Sequence, residues 1–272
     1  MLKKIIVTAF FGCICVGSTH AQILSTGDLF GPGAPPPMIG VELGLGSHIQ
    51  QGTYQASCQC TFSGGSFSGF LGGLLFELPL DYEWTIGMGL KFDFKGLNNS
   101  TIVKDNTAIE VLAGSSDSVV YVNGLAYNRI GTVRETFFSI DPFVRYEFYR
   151  NGPFVQAGPG VGLVVASSFK HTRELLNTTV IDNNGNPIPN VHFSDGTTSE
   201  TLENDTKISN INSLQLTIQA AVGYNIAVGD NAVVAPMLTY SLPITAVRPD
   251  ILASGWKIQT IYFSAAFKYK ID

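Results

Sequence analysis

Charge is scarce in this sequence. Only 14% of its 272 residues are Asp, Glu, Lys or Arg, against about 25% in an ordinary soluble domain. Long apolar runs are missing as well. Beyond the N-terminus each apolar stretch is broken by Gly or a polar residue, well short of the ~20 positions a spanning helix needs. There is no basic cluster, and the net charge is −5. These absences exclude a helical membrane protein and a nucleic-acid binder. A hydrophobic share of 45% excludes a disordered chain. No phosphate loop, zinc-binding His-Glu-x-x-His or dinucleotide fingerprint occurs, so no cofactor is expected.

Cysteine is rare too, with 4 in the chain. Cys13 and Cys15 lie in an N-terminal segment with its own logic. Lys3 and Lys4 precede a short apolar run, Ile5 to Val16, and Thr19-His20-Ala21 offers small residues at −3 and −1 before Gln22. That is the layout of a secretory signal peptide over residues 1–21. A rival reading takes Cys13 as a lipoprotein acylation site, but Phe10-Phe11-Gly12 fits it poorly and cleavage there cuts the apolar run short. Export leaves Cys58 and Cys60 in an oxidising compartment where they can form a disulfide. Their i, i+2 spacing would strain the bridge. The reading is a small loop staple or two free thiols. A metal site needs further ligands, and His48 is the only one near in sequence.

Glycine and aromatics are abundant, with 29 Gly, 18 Phe and 10 Tyr. Residues 22–38 hold Gly31-Pro32-Gly33 and Pro35-Pro36-Pro37, which predicts an extended periplasmic leader. From 39 to 272 the apolar period is 2, the period of strands. Trp84, Ile86, Met88, Leu90, Phe92 and Phe94 share one face, and Thr85, Gly87, Gly89, Lys91, Asp93 and Lys95 the other. The same split recurs in Gly40–His48, Phe70–Leu80, Phe138–Phe148, Phe154–Val165, Leu214–Asn225, Ala232–Leu242 and Thr260–Ile271. Each segment is about as long as a tilted strand needs to cross a bilayer core, ~9–11 residues.

The links alternate. Short turn signals stand at Asp81-Tyr82-Glu83, Arg150-Asn151-Gly152 and Gly229-Asp230-Asn231, and long connections run over 48–68, 96–133, 167–213 and 245–255. Eight segments with this alternation predict an all-β fold: an eight-stranded antiparallel up-and-down transmembrane β-barrel with short periplasmic turns and long external loops. A soluble sandwich or lipocalin-like barrel also alternates, but hides its bulky apolar face inside. Here the opposite face is the one rich in Gly, Gln, Thr and paired charges. Tyr82, Trp84, Tyr146, Phe148, Tyr149, Phe154, Tyr224 and Tyr269 lie near segment ends and are expected to form an interfacial girdle.

The signal peptide, the Gly-rich alternating strands and the aromatic last strand, Thr260 to Ile271, together resemble the outer-membrane protein β-barrel domain family. These are the OmpA-like or PorT-like eight-stranded barrels of Gram-negative bacteria. The resemblance covers roughly 40–272. It implies residence in the outer membrane, contact with its lipid and lipopolysaccharide, and insertion by the barrel-assembly machinery. Its PorT-like part alone implies a place in a secretion machine. A monomer without nucleic-acid partners is expected.

Glu42, Glu77, Lys91, Asp93, Asp141, Arg145, Glu147, Lys268 and Lys270 fall on the inward face. An eight-stranded barrel is just wide enough for side chains to fill it, and buried charges must be paired. The expectation is a lumen charge network that plugs the barrel. The alternative is a narrow polar pore, a small porin, in which Lys91, Arg145 and Glu147 matter most. A lipid-modifying enzyme, the catalytic alternative, would need a loop Ser and Asp beside His171 or His192, and no spacing supports it. A non-enzymatic barrel with structural and interaction roles follows. Its long acidic segment 167–213 and the aliphatic stretch Val119–Val122 offer a rim for an external ligand or protein.

Overall fold

The fold follows from side chains that alternate strictly across extended backbone, so that each strand is apolar on one face and small or polar on the other. A computed structural model describes residues 35–55, 61–104, 109–113, 118–122, 125–181, 186–208, 210–248 and 255–271. The signal peptide, most of the leader, and Cys58 and Cys60 lie outside the described residues.

Eight long strands build the wall: β1 Met38–Gln51, β2 Ser66–Pro79, β3 Trp84–Lys104, β4 Ala126–Glu147, β5 Pro153–Leu175, β6 Leu214–Tyr224, β7 Ala232–Pro243 and β8 Lys257–Lys270. Each pairs antiparallel with the next in sequence. β1 also pairs with β8, from Met38 opposite Lys270 to Gln51 opposite Lys257. The pairings therefore run around a ring, and every wall strand has a partner on each side.

The ring is apolar outside. Leu43, Leu45 and Phe263 are 68%, 70% and 65% exposed, while Glu42, Ser264 and Arg145 are buried. In water such a surface would be unstable; against hydrocarbon it is the favoured arrangement. Strand length then divides the molecule. β6 and β7, of 11 and 12 residues, match the apolar band. β3, β4 and β5, of 21, 22 and 23 residues, rise to about twice its height at ~3.3 Å per residue and ~40° tilt. Above the band, Ser199–Thr206 takes the place beside β5 that β6 holds lower down. A hairpin of Ile109–Ala113 with Ser118–Val122 lies at the same end.

The short turns have local causes. Asp81 Oδ1 accepts from the backbone N–H of Glu83 and Trp84 at 2.7 and 2.6 Å. Asn151 and Gly229 take positive φ, 54° and 75°, where a tight turn requires it. The link between β6 and β7 is itself a small hairpin, with Ile226–Val228 paired to Ala232–Val234.

Three details differ from the sequence reading. Phe154 is 1% exposed and faces inward, not into the girdle. It shares its parity with Gln156 and Gly158, and its ring packs on a buried guanidinium. His171 lies on β5 rather than in a loop, and is buried. Lys270 stands at the short-turn end and donates to the carbonyl of Asp230, outside the lumen.

Candidate functional site: the barrel interior

The inward side chains stack in layers from the short-turn end to the long-loop end. In the first layer Glu77 on β2 accepts from Arg145 Nη2 on β4 at 2.7 Å and from Lys268 Nζ on β8 at 3.0 Å. Lys268 also donates to Asn225 Oδ1 at 2.9 Å, and Asn225 donates to Glu147 at 2.5 Å. Arg145 is fully buried. Its guanidinium lies over the rings of Phe154 and Phe143, 4.4 and 5.2 Å from their centroids, and donates to Gln156 at 2.9 Å. The planar ion is thus held on faces and edge together. Leu75, Ala235, Met237 and Ala266 fill the rest of this end.

The second layer centres on Lys91. Its Nζ lies 3.1 Å from Glu42 and 3.5 Å from Asp141. Space for it comes from two glycines. A Cβ at Gly73 would sit 2.8 Å from Lys91 Cγ, and one at Gly89 2.7 Å from its Cε. Ser264 donates to Glu42 at 2.8 Å and Ser139 to Asp141 at 3.2 Å. Beside this cluster Lys95 Nζ is 3.3 Å from Asp93, which also accepts the hydroxyl of Tyr262. Lys95 lies 4.7 Å from the Phe137 ring centroid. Glu135 faces Lys95 from β4 and is buried. A cavity of about 30 Å³ remains between these groups, room for one or two waters.

The third layer is uncharged in its contacts. His48 shares a 3.0 Å hydrogen bond with Thr260, and Asn99 donates to Gln50 at 2.7 Å. Gln50 in turn donates to the carbonyl of Phe62 at 2.8 Å, tying a loop to the wall. Above it an apolar cap closes over: Leu97, Val133, Phe169 and Ile258 from strands meet Phe62 and Trp256 from the connections.

Glu42, Glu77, Lys91, Asp93, Asp141, Arg145, Glu147 and Lys268 therefore sit in two clusters, one around Glu77 and one around Lys91. Sequence reasoning did not single out Lys95, Glu135, Tyr262, Asn225 or Gln156 as partners. Lys95 and Glu135 carry the same period-2 signal as their neighbours. Tyr262 and Gln156 acquire their roles only through register. Of the remaining histidines, His192 is half-buried on a connection whose backbone bridges to Leu112. Among the described residues no group of His, Cys, Asp and Glu could hold a metal ion.

The family model of the outer membrane protein beta-barrel domain matches residues 37–247. The chain belongs to this family. It is a protein of the Gram-negative outer membrane, which gives the apolar belt its lipid and the short turns their periplasmic side. Comparison with curated proteins finds no match. Among solved structures the chain is similar to Ail, the attachment invasion locus protein of Yersinia pestis, at 11% identity, with 86% of this chain and 99% of that one covered and a TM-score of 0.35. OprG of Pseudomonas aeruginosa gives 11%, 88%, 98% and 0.33. The outer membrane protease OmpT of Escherichia coli gives 11%, 87%, 97% and 0.28. The family assignment rests on the family model alone.

Proposed function

We propose that this barrel is a non-conducting outer-membrane scaffold, its lumen plugged by paired charges, that presents a raised β-sheet for contact with an external ligand or protein. The observation that carries the first half is the stack of layers inside the wall. An ion-pair cluster, a second ion-pair cluster and an apolar cap follow one another, with about 30 Å³ between them at mid-height. A hydrated ion would have to break buried pairs, and breaking one costs about 3–5 kcal/mol. The second half rests on β3–β5 continuing beyond the apolar band, joined by Ser199–Thr206 with Glu200, Glu203 and Asp205. One of these acids, Glu200, is held by Arg173 at 2.5 Å. The reading assigns no catalysis: His171 is enclosed by the wall, and His192 stands half-buried on a connection with its Nδ1 2.9 Å from the carbonyl of Asn190.

Liposome swelling tests it. Vesicles carrying the refolded protein should shrink and stay shrunken in a small sugar, as protein-free vesicles do. Swelling at rates that grow with protein content would instead favour the small porin.

A further inference from the structure

Two prolines face each other in the wall. The β4–β5 register sets Ile140 opposite Val161 and Val144 opposite Ala157, so Pro142 stands opposite Pro159. No pair forms between Asp141–Phe143 and Gly158–Gly160, although the register is the same on both sides of the gap. At the lower end of this seam the N–H of Phe148 donates to the carbonyl of Pro153 at 3.1 Å. Pro142 shares that parity, so its nitrogen is turned toward β5, where a ladder hydrogen bond belongs. Neither ring nitrogen can donate. The carbonyls of Pro142 and Pro159 are left without ladder partners. On the outer face of β4, Pro142 lies midway between Tyr146 and Phe138, at the middle of the apolar band. Proline within a sheet is otherwise confined to edges, first positions and bulges. The β2–β3 ladder also skips a few rows, between Ser66 and Phe70, but its donors are present and the gap lies at the upper edge of the band.

Open space lies on both sides of this seam. On the lipid side a groove of about 620 Å³ runs from Trp84 and Tyr146 across Ala157 and Ala220 to Leu238 and Tyr240. On the inner side is the mid-barrel cavity beside Lys91. A notch of about 10 Å³ stands between the two. Outward Pro142, Ala157 and Ala220 line it, and so do inward Asp141, Gln156 and Gln219. Ala157 and Ala220 belong also to the groove, and Asp141 and Gln219 also to the cavity. The groove opens on hydrocarbon, so its occupant must be soluble in lipid. The notch asks for a polar but uncharged group. Asp141 is already paired with Lys91. Gln156 accepts from Arg145 and keeps its amide N–H groups to donate.

We infer that the β4–β5 seam is a lateral doorway for a small uncharged amphiphile dissolved in the bilayer. Its apolar chain lies in the groove, and its head, of hydroxyl or amide type, passes between the strands into the notch beside Gln156 and Gln219. Parting the strands over these rows breaks no N–H···O bond, whereas at any fully laddered seam the same opening strips backbone groups of their partners in hydrocarbon, which is costly. The inference goes beyond the scaffold reading and does not depend on it, since the axial path can stay plugged while the side path opens.

The probe is N-octylmaleimide, an uncharged amphiphile with an imide head that reacts with thiols. The protein is reconstituted in lipid vesicles with its 4 native cysteines replaced by serine, and heat-modifiable gel migration confirms that each variant has folded. Thr239→Cys places a thiol at the inner end of the notch, and Ser264→Cys a buried inward thiol away from it. Mass spectrometry should show Thr239→Cys labelled about tenfold faster than Ser264→Cys, and left unlabelled by a sulfonated, water-confined maleimide. Restoring the two donors with Pro142→Val and Pro159→Val together should slow that labelling about tenfold or more, from two regained hydrogen bonds. Ala220→Cys, on the lipid side, should label equally with or without them. N-octylsuccinimide, the unreactive analogue, should protect Thr239→Cys saturably. Labelling of Thr239→Cys from water, equal labelling at Ser264→Cys, or no labelling of Thr239→Cys while Ala220→Cys reacts would each overturn the doorway. So would a rate indifferent to the two valines. Protection that never saturates would overturn the binding site.

Discussion

Gly158 and Gly162 sit four residues apart on β5 and face the same way, yet they meet different neighbours. A Cβ at Gly158 would lie 2.0 Å from the carbonyl oxygen of Pro142, a backbone atom that cannot step aside. At Gly162 the nearest atom is Phe137 Cδ1 at 3.5 Å, an ordinary contact. Gly158→Ala should cost about 1–3 kcal/mol, and Gly162→Ala should stay within about 0.5 kcal/mol. Urea midpoints in lipid vesicles would rank them, and equal midpoints would contradict the close strand approach. The charges allow a similar ranking. Arg145→Met leaves Glu77 with Lys268. Glu77→Gln leaves two buried cations side by side. Both substitutions break buried pairs, worth about 3–5 kcal/mol, and Glu77→Gln should be the worse. The reverse order would mean that Glu147, through Asn225, carries the balance.

At the scale of elements, what matters is how high a strand rises. Leu45 on β1 and Ile102 on β3 are 70% and 69% exposed. Leu45 stands within the apolar band, paired to Phe263, whereas Ile102 lies eighteen positions along β3 from Trp84, above it. Leu45→Arg should cost about 2–4 kcal/mol, the penalty for a cation on the lipid face near the midplane. Ile102→Arg should change stability by less than about 0.5 kcal/mol. Equal effects on vesicle-reconstituted unfolding would place the band elsewhere. These elements also show what the sequence could tell. All eight segments were legible from period-2 alternation, because lipid outside and side chains inside impose opposite chemistry on the two faces. The upper half of β5 was not. Thr136 pairs with Ala166 and Phe137 with Val164, so Val165 is an extra residue and the inward parity changes there. The bulge turns Phe169 and His171 inward, and a strict alternation count cannot foresee it.

For the whole molecule the legible part was architecture. Alternation could place acidic and basic residues on one face, but pairing depends on register between strands remote in sequence, as with Glu77 and Lys268. The cap over the long-loop end was illegible for the same reason. Phe62 and Trp256 are separated by most of the chain and meet only because the ring closes. The resulting object is a wall greased outside, filled with paired charge inside, and raised on one side into a sheet. Its belt gives it an outer membrane. Its filled interior underlies the proposal that it carries no current.

Planar-bilayer recording tests that proposal most directly, once heat-modifiable migration has shown the refolded barrel to be closed. The account predicts silence from the native protein, and also from Lys91→Ala, where Glu42 and Asp141 lose their cation but the apolar cap remains. Steady unitary currents from native protein, with ion selectivity altered in Lys91→Ala or Arg145→Ala, would contradict it and make this barrel a small porin.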